Sequence, residues 1–302
     1  MPIRIDAYNE QEEGSVRKLF TRSFENENLF TLLKKPRSEF AYSAYINEQL
    51  TGVIFGWKSG FHPNCTYFRI VIDPIVPSDG IIKDLLVQTA TREQLQYPLQ
   101  TSICETAFAL KIAYEKEGFV EIRRTYISDL DLSFAVGDEL PLETTERLVV
   151  KCLETLSEDE VQQLVRLVKR VYKETHSVNP VADKGIQEWE QLVFAEDTIA
   201  EGSLVYVNVD THQVLAYSFL HESDREGVYE LGWCGYLDDQ YKSLLPQLVI
   251  HQIQYSVTLN IHTLTGEFDT TDPYAMEVLK RFPFAPCPAL ITYQKRDDKQ
   301  QA

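Results

Sequence analysis

The stretch Ala113-Tyr114-Glu115-Lys116-Glu117-Gly118-Phe119 decides the fold. It closes an apolar-periodic run on a tyrosine, passes through a charged helix end, and enters Val120-Glu121-Ile122 through Gly-Phe. Glycine just past the last helical turn supplies the left-handed residue that ends a helix, so the local order is helix, stop, strand. Leu279-Lys280-Arg281-Phe282-Pro283-Phe284 repeats that order without the tyrosine.

Working outward from the two endings exposes a duplication. Asn9-Glu10-Gln11-Glu12 and Ser157-Glu158-Asp159-Glu160 both carry a capping residue followed three positions later by glutamate, the capping-box pattern of a helix start. A hairpin follows each: 40–46 and 52–57 around Asn47-Glu48-Gln49, then 204–209 and 214–220 around Asp210-Thr211-His212-Gln213. Each half continues with a third strand (66–72, 227–233), a loop, a helix (81–94, 244–259), a strand and a second helix. The intervals from Asn47 to Phe119 and from Asp210 to Phe284 nearly match. Two α/β units are expected, 1–135 and 146–296, joined near Val136-Gly137-Asp138-Glu139-Leu140-Pro141, where Gly and Pro punctuate a polar stretch.

Composition narrows the function classes. The 302 residues suffice for two cores, and no apolar run approaches the length that spans a bilayer. The first twenty residues lack the apolar centre of a secretory signal. Five scattered cysteines without a CxxC pair suit a reducing compartment, so a cytoplasmic location is expected, with no disulfide framework and no metal site. A formal charge of −17 opposes nucleic-acid binding, which needs clustered Lys and Arg. That acidity keeps a protein soluble and favours a cationic partner such as an amine.

The element order, with Tyr114-Glu115-Lys116-Glu117-Gly118-Phe119 and Arg123-Arg124-Thr125-Tyr126, resembles the GCN5-related N-acetyltransferase (GNAT) superfamily in its tandem, two-domain form. The resemblance implies an α/β (α+β) fold of two acyl-CoA N-acyltransferase-like domains, each a mixed, mostly antiparallel sheet flanked by helices. It implies acetyl-CoA as co-substrate and a small-molecule or peptide amine as acceptor. The diphosphate loop falls on Asp73-Pro74-Ile75-Val76-Pro77-Ser78-Asp79-Gly80-Ile81-Ile82-Lys83, where Gly80 holds the first small position and Ile82 stands at the second. With the preceding strand, the implied cofactor residues are Ile70, Val71, Ile72, Ser78, Asp79, Gly80, Ile81, Ile82 and Lys83. Loop amides at a helix start suit a diphosphate through free N–H groups and the helix dipole.

The second loop, Leu237-Asp238-Asp239-Gln240-Tyr241-Lys242-Ser243, lacks glycine and carries two acids, which places the cofactor in the first half. Acyl transfer needs a base, oxyanion donors and an acid for the leaving thiolate. The resemblance gives the acid role to Tyr114, whose counterpart Leu279 cannot donate a proton. Glu230 is the candidate base, with Asp73 or Glu105 as substitutes in the first half. Asp272 caps a helix ahead of Pro273, and with Glu267 and Asp269 it is also read as a place for a cationic amine. The competing class is a catalytically inactive tandem domain used for ligand sensing or protein interaction. Oligomeric state is not legible in the sequence.

Overall fold

The structure, a computed structural model, describes residues 2–34, 38–133 and 146–297. The chain forms two compact units: 1–123 with 178–182 and 290–302, and 124–177 with 183–289. The expected linker at 136–141 lies outside the described residues.

The first unit runs β1 (Ile3–Ala7), α1 (Glu13–Arg22), α2 (Phe30–Leu33), β2 (Ser38–Ile46), β3 (Gln49–Trp57), β4 (Thr66–Ile72), α3 (Asp79–Ala90), β5 (Leu99–Cys104) and α4 (Phe108–Lys116). The second runs β6 (Val120–Asp131, from Arg124), β7 (Leu148–Cys152), α5 (Glu158–Thr175), α6 (Ile186–Val193), β8 (Leu204–Asn208), β9 (Val214–Glu222), β10 (Val228–Tyr236), α7 (Leu244–Thr258), β11 (Thr263–Asp269) and α8 (Pro273–Arg281). The last strand, β12 (Leu290–Lys295), returns to the first unit.

The strand orders are β1-β2-β3-β4-β5-β12 and β6-β11-β10-β9-β8-β7. In each, one parallel pair (β4 with β5, β10 with β11) sits among antiparallel neighbours. The closing strands are exchanged. β12 pairs with β5 from Leu290↔Cys104 to Lys295↔Leu99, and β6 pairs with β11 from Thr263↔Asp131 to Asp269↔Thr125. Two contiguous domains were the expectation, yet each unit is completed by a strand from the other half of the sequence. Period-2 alternation says which face a strand buries and names no partner.

The local signals act as written in the sequence. Gly118 takes φ +80, the Phe119 amide donates to the Tyr114 carbonyl at 2.9 Å, and the Gly118 amide to Glu115 at 3.2 Å. This ending makes Phe119 pack on Tyr114, ring centroids 5.3 Å apart. Ser157 and Glu160 form the complete capping box of α5. At the other start the box is absent: Asn9 Oδ1 accepts from the Gln11 amide, while the Glu12 carboxylate receives the Tyr45 hydroxyl. Asn47 and Glu48 both take positive φ, which matches the right-handed strand twist of a tight hairpin.

Two apolar layers flank the first sheet. One joins Ile81, Ile82, Leu85 and Leu86 of α3 to Phe68, Tyr114, Phe119 and Tyr293; the other joins Val16, Leu19 and Phe20 of α1 to Val53, Phe55 and Val71. In the second unit α7 buries Leu244, Leu245, Leu248, Val249 and Ile253. Among the described residues no helix is long and apolar enough to cross a membrane.

Candidate active site

In the first unit β4 and β5 pair in parallel at Thr66–Leu99 and Tyr67–Gln100 and are unpaired beyond. The fork opens into a cleft of about 510 Å³, walled by Ile70, Val71, Ile72 and Asp73 on one side and by Thr106 to Leu110 on the other. Ser78 and Ile82 of the loop and α3 line it as well, as do Ser23 and Glu25 past the end of α1. Five of the expected cofactor residues therefore converge here: Ile70, Val71, Ile72, Ser78 and Ile82. Gly80 and Lys83 line an adjoining recess of about 350 Å³ with Ile112, Ala113, Lys116 and Glu117. Ile81 is core, and Asp79 is the first residue of α3. Ile82, the large residue at the second small position, borders the cleft and is otherwise buried in the core beneath α3. The Ser78 side chain makes no capping hydrogen bond to α3, and free amides of a helix start suit an anion.

The charged groups of the cleft are paired. Glu25 holds Arg69 through three contacts of 2.8 to 3.1 Å, and Arg69 Nη1 donates to the Ser102 carbonyl, bridging the fork. Asp73 is buried, binds Arg22 at 2.7 Å and accepts the Ile75 amide at 3.1 Å. Asp73, an alternative base, is thereby committed to holding the loop. Ser23 Oγ donates to the Ile72 carbonyl at 2.8 Å, so α1 is fastened to the start of the loop twice. Neither Ser23, Glu25 nor the Ala107–Leu110 turn carried any pattern in the sequence.

Tyr114 lies under the fork with no solvent exposure, edge-on to Phe68 and against Phe119 and Tyr293. Burial pushes its phenol well above the ordinary tyrosine range; nearby Arg69 and Thr101 oppose that shift without cancelling it. Thr101 is close enough to favour the phenolate, yet neither hydroxyl makes a hydrogen bond of acceptable geometry. Two buried hydroxyls without partners thus sit where the fork begins. The acid candidate is not part of the cleft lining.

Glu230 stands elsewhere. It is exposed on β10 of the second unit, opposite His221 and Thr265. Glu230 belongs to the second unit and Tyr114 to the first. Among the described residues no group of three His, Cys, Asp or Glu side chains is placed to hold a metal.

The second unit fills its fork. β10 and β11 pair from Val228–Thr263 to Leu231–Gly266, and beyond them Tyr236 and Tyr274 meet edge-to-face at 4.6 Å, both buried. Arg170 Nη2 donates to the Tyr236 and Leu237 carbonyls at 2.9 and 2.8 Å, and the Tyr274 hydroxyl donates to Glu174 at 3.2 Å. Asp272 caps α8 through the Tyr274 and Ala275 amides at 2.9 and 3.1 Å. Burial, with Asp269 adding to it, pushes its carboxyl up to about 6 against those two bonds. Asp269 itself accepts the Thr125 hydroxyl, so this acidic segment is engaged in holding α8 and β6.

No protein-family model and no curated protein sequence matches this chain. Solved structures do. A GCN5-related N-acetyltransferase from Sphaerobacter thermophilus aligns with TM-score 0.64 at 12% identity, over 97% of this chain and 95% of its own. A tandem GNAT protein from the clavulanic acid biosynthesis pathway aligns with TM-score 0.58 at 12% identity, over 98% of both chains. This chain has the tandem GNAT fold. A GNAT-family acetyltransferase from Colwellia psychrerythraea aligns with TM-score 0.54 at 10% identity, over 97% of this chain and all of its own. Within the GNAT architecture the forked parallel pair is the feature that the two units treat differently, open in one and packed with aromatic rings in the other.

Proposed function

We propose that the protein is an acyl-CoA-dependent N-acyltransferase whose donor site is the fork of the first unit, with acetyl-CoA the first donor to test and a small amine or peptide amine as acceptor. The observation that carries this reading is the conjunction, in one unit, of an open fork with an uncapped α3 start and two unpartnered hydroxyls at its base. The residues fit the group. The α3 amides around Ser78 and Gly80 hold the diphosphate, Ile72, Val76 and Ala107 to Leu110 enclose the pantetheine arm, and Lys83 adds charge beside them.

A bound acyl thioester supplies an activated carbonyl and a thiolate leaving group. The chain's own residues do the rest. Arg69, held by Glu25 and bonded to the Ser102 carbonyl across the fork, is the guanidinium assigned to the negative charge that develops on the carbonyl oxygen. Tyr114 holds its proton firmly and gives it to the departing sulfur. The cleft offers no unpaired carboxylate or imidazole among the described residues, so the amine's proton leaves to water or to a group the acceptor brings.

That last observation also favours the second reading, a non-catalytic acyl-CoA sensor. Incubation with acetyl-CoA and a panel of amines, with free thiol measured, separates the two. Amine-dependent thiol release is the expected outcome; saturable binding without release on any amine supports the sensor.

A further inference from the structure

In the second unit α5 turns Gln163, Arg166, Leu167 and Arg170 to one side, the i, i+3, i+4, i+7 spacing of a single helix face. With Gln213 and Val214 at the start of β9 and Leu237 just past β10, they line a recess of about 290 Å³. Gln163 ties the two walls together. Its side-chain oxygen accepts the Val214 amide and its side-chain nitrogen donates to the His212 carbonyl, both at 3.2 Å. Leu167 and Val214 are buried, so apolar surface backs the recess.

The charge of the recess is opposite to that of the molecule. The chain carries −17, yet this lining holds two guanidiniums and no carboxylate. Arg170 is anchored chiefly by main chain: Nη2 donates to the Tyr236 and Leu237 carbonyls at 2.9 and 2.8 Å, and Glu174 stands 3.6 Å from Nε. Its guanidinium is therefore fixed in place with most of its charge uncompensated. Arg166, one turn earlier and exposed, makes no ion pair and no hydrogen bond among the described residues. Like charges one turn apart on a helix repel, so neither pairing nor helix stability accounts for Arg166 beside Arg170.

We propose that this recess binds a small organic acid, with its carboxylate at Arg166 and Arg170 and its apolar body against Leu167, Val214 and Leu237. A guanidinium presents its N–H groups as a planar fork that matches a carboxylate. An apolar wall with a few charged groups at its edge is the usual make-up of a small-molecule site. Asp238 and Asp239 follow Leu237 directly and repel further negative charge, which favours a single carboxylate over a diphosphate. The recess belongs to the second unit and the donor fork to the first, so this inference does not rest on the acyltransferase reading.

The test is NMR titration of the full chain with hexanoate, benzoate, hexylamine and inorganic phosphate, for the native protein, Arg166→Gln and Arg166→Lys. Both acids are expected to bind the native protein and hexylamine, the same body with the opposite charge, is not. Inorganic phosphate is expected to bind at least about tenfold more weakly than hexanoate, because it leaves the apolar wall in water. In Arg166→Gln the affinity for both acids falls about tenfold or more, and in Arg166→Lys, which keeps the charge and loses the fork, it falls less. Arg166 has no partner to lose and its removal ends the like-charge pair. Arg166→Gln without ligand therefore melts at an equal or higher temperature, and misfolding cannot account for weaker binding. Acids that bind Arg166→Gln as tightly as the native protein overturn the inference, as does phosphate that matches hexanoate or hexylamine that matches either acid. Failure of both acids to bind the native protein overturns it as well.

Discussion

Replacing Tyr114 by phenylalanine is expected to lower turnover about a hundredfold or more while leaving the protein as stable as before, or more so. The two halves of that expectation come from the same atom. The phenol oxygen is buried without a hydrogen-bond partner, so its removal relieves the core of an unsatisfied polar group and keeps the ring packing against Phe68, Phe119 and Tyr293. In the proposed reaction that oxygen protonates the leaving sulfur, and its loss slows C–S cleavage without touching the groups that bind the donor. Thermal melting and steady-state kinetics on Tyr114→Phe check this: kcat falls, the donor KM changes little and the melting temperature does not drop. A variant that melts normally and turns over at the native rate clears Tyr114 of the acid role.

The second large effect concerns stability and is independent of the reaction. Asp272 has its carboxyl raised from the ordinary aspartate range to about 6 by burial, with Asp269 nearby and Cys234 and Tyr217 on the facing strands. A carboxyl raised in the folded state binds more protons there than in the unfolded chain between about pH 4 and 6. Its contribution to stability is therefore present below pH 4, is lost as pH rises through about 6, and is absent at neutral pH. Asparagine caps a helix as well as aspartate and carries no charge to desolvate. Asp272→Asn is expected to stabilise the protein by roughly 1–2 kcal/mol at pH 8, less than the full shift implies because the side chain is part-exposed and the charge gains something from the helix dipole. At pH 4 the difference vanishes. Thermal melts at the two pH values read this directly; an Asp272→Asn protein that is less stable at pH 8 shows that the charged cap outweighs its desolvation.

What the sequence made legible follows from the range of the interactions involved. The Gly118 ending, the Ser157 capping box and the Asn47 hairpin are set by neighbours a few residues apart, and each forms in the expected place. The strand wall of the first-unit cleft, Ile70 to Ile72, was readable for the same reason, because the strand and the loop that follows it are local. The exchange of β6 and β12 was not, since alternation in both strands fits either partner. Nor was the commitment of Glu12 to Tyr45, of Asp73 to Arg22 or of Glu25 to Arg69, because a carboxylate reads alike in sequence whether it is free or paired. The same blindness affected Tyr114: its spacing from Gly118 put it on the right helix and gave no hint that Phe119 and Tyr293 would seal it from solvent.

Ligand stoichiometry tests the difference between the two forks. Titration of the full chain with CoA is expected to give one site per chain. Ala107→Trp, which plants a bulky ring in the wall of the first fork, is expected to abolish binding, and Tyr274→Ala in the second is expected to leave the stoichiometry at one. Two sites per chain, or a single site that survives Ala107→Trp, would place the donor in the aromatic-filled fork of the second unit and contradict the account.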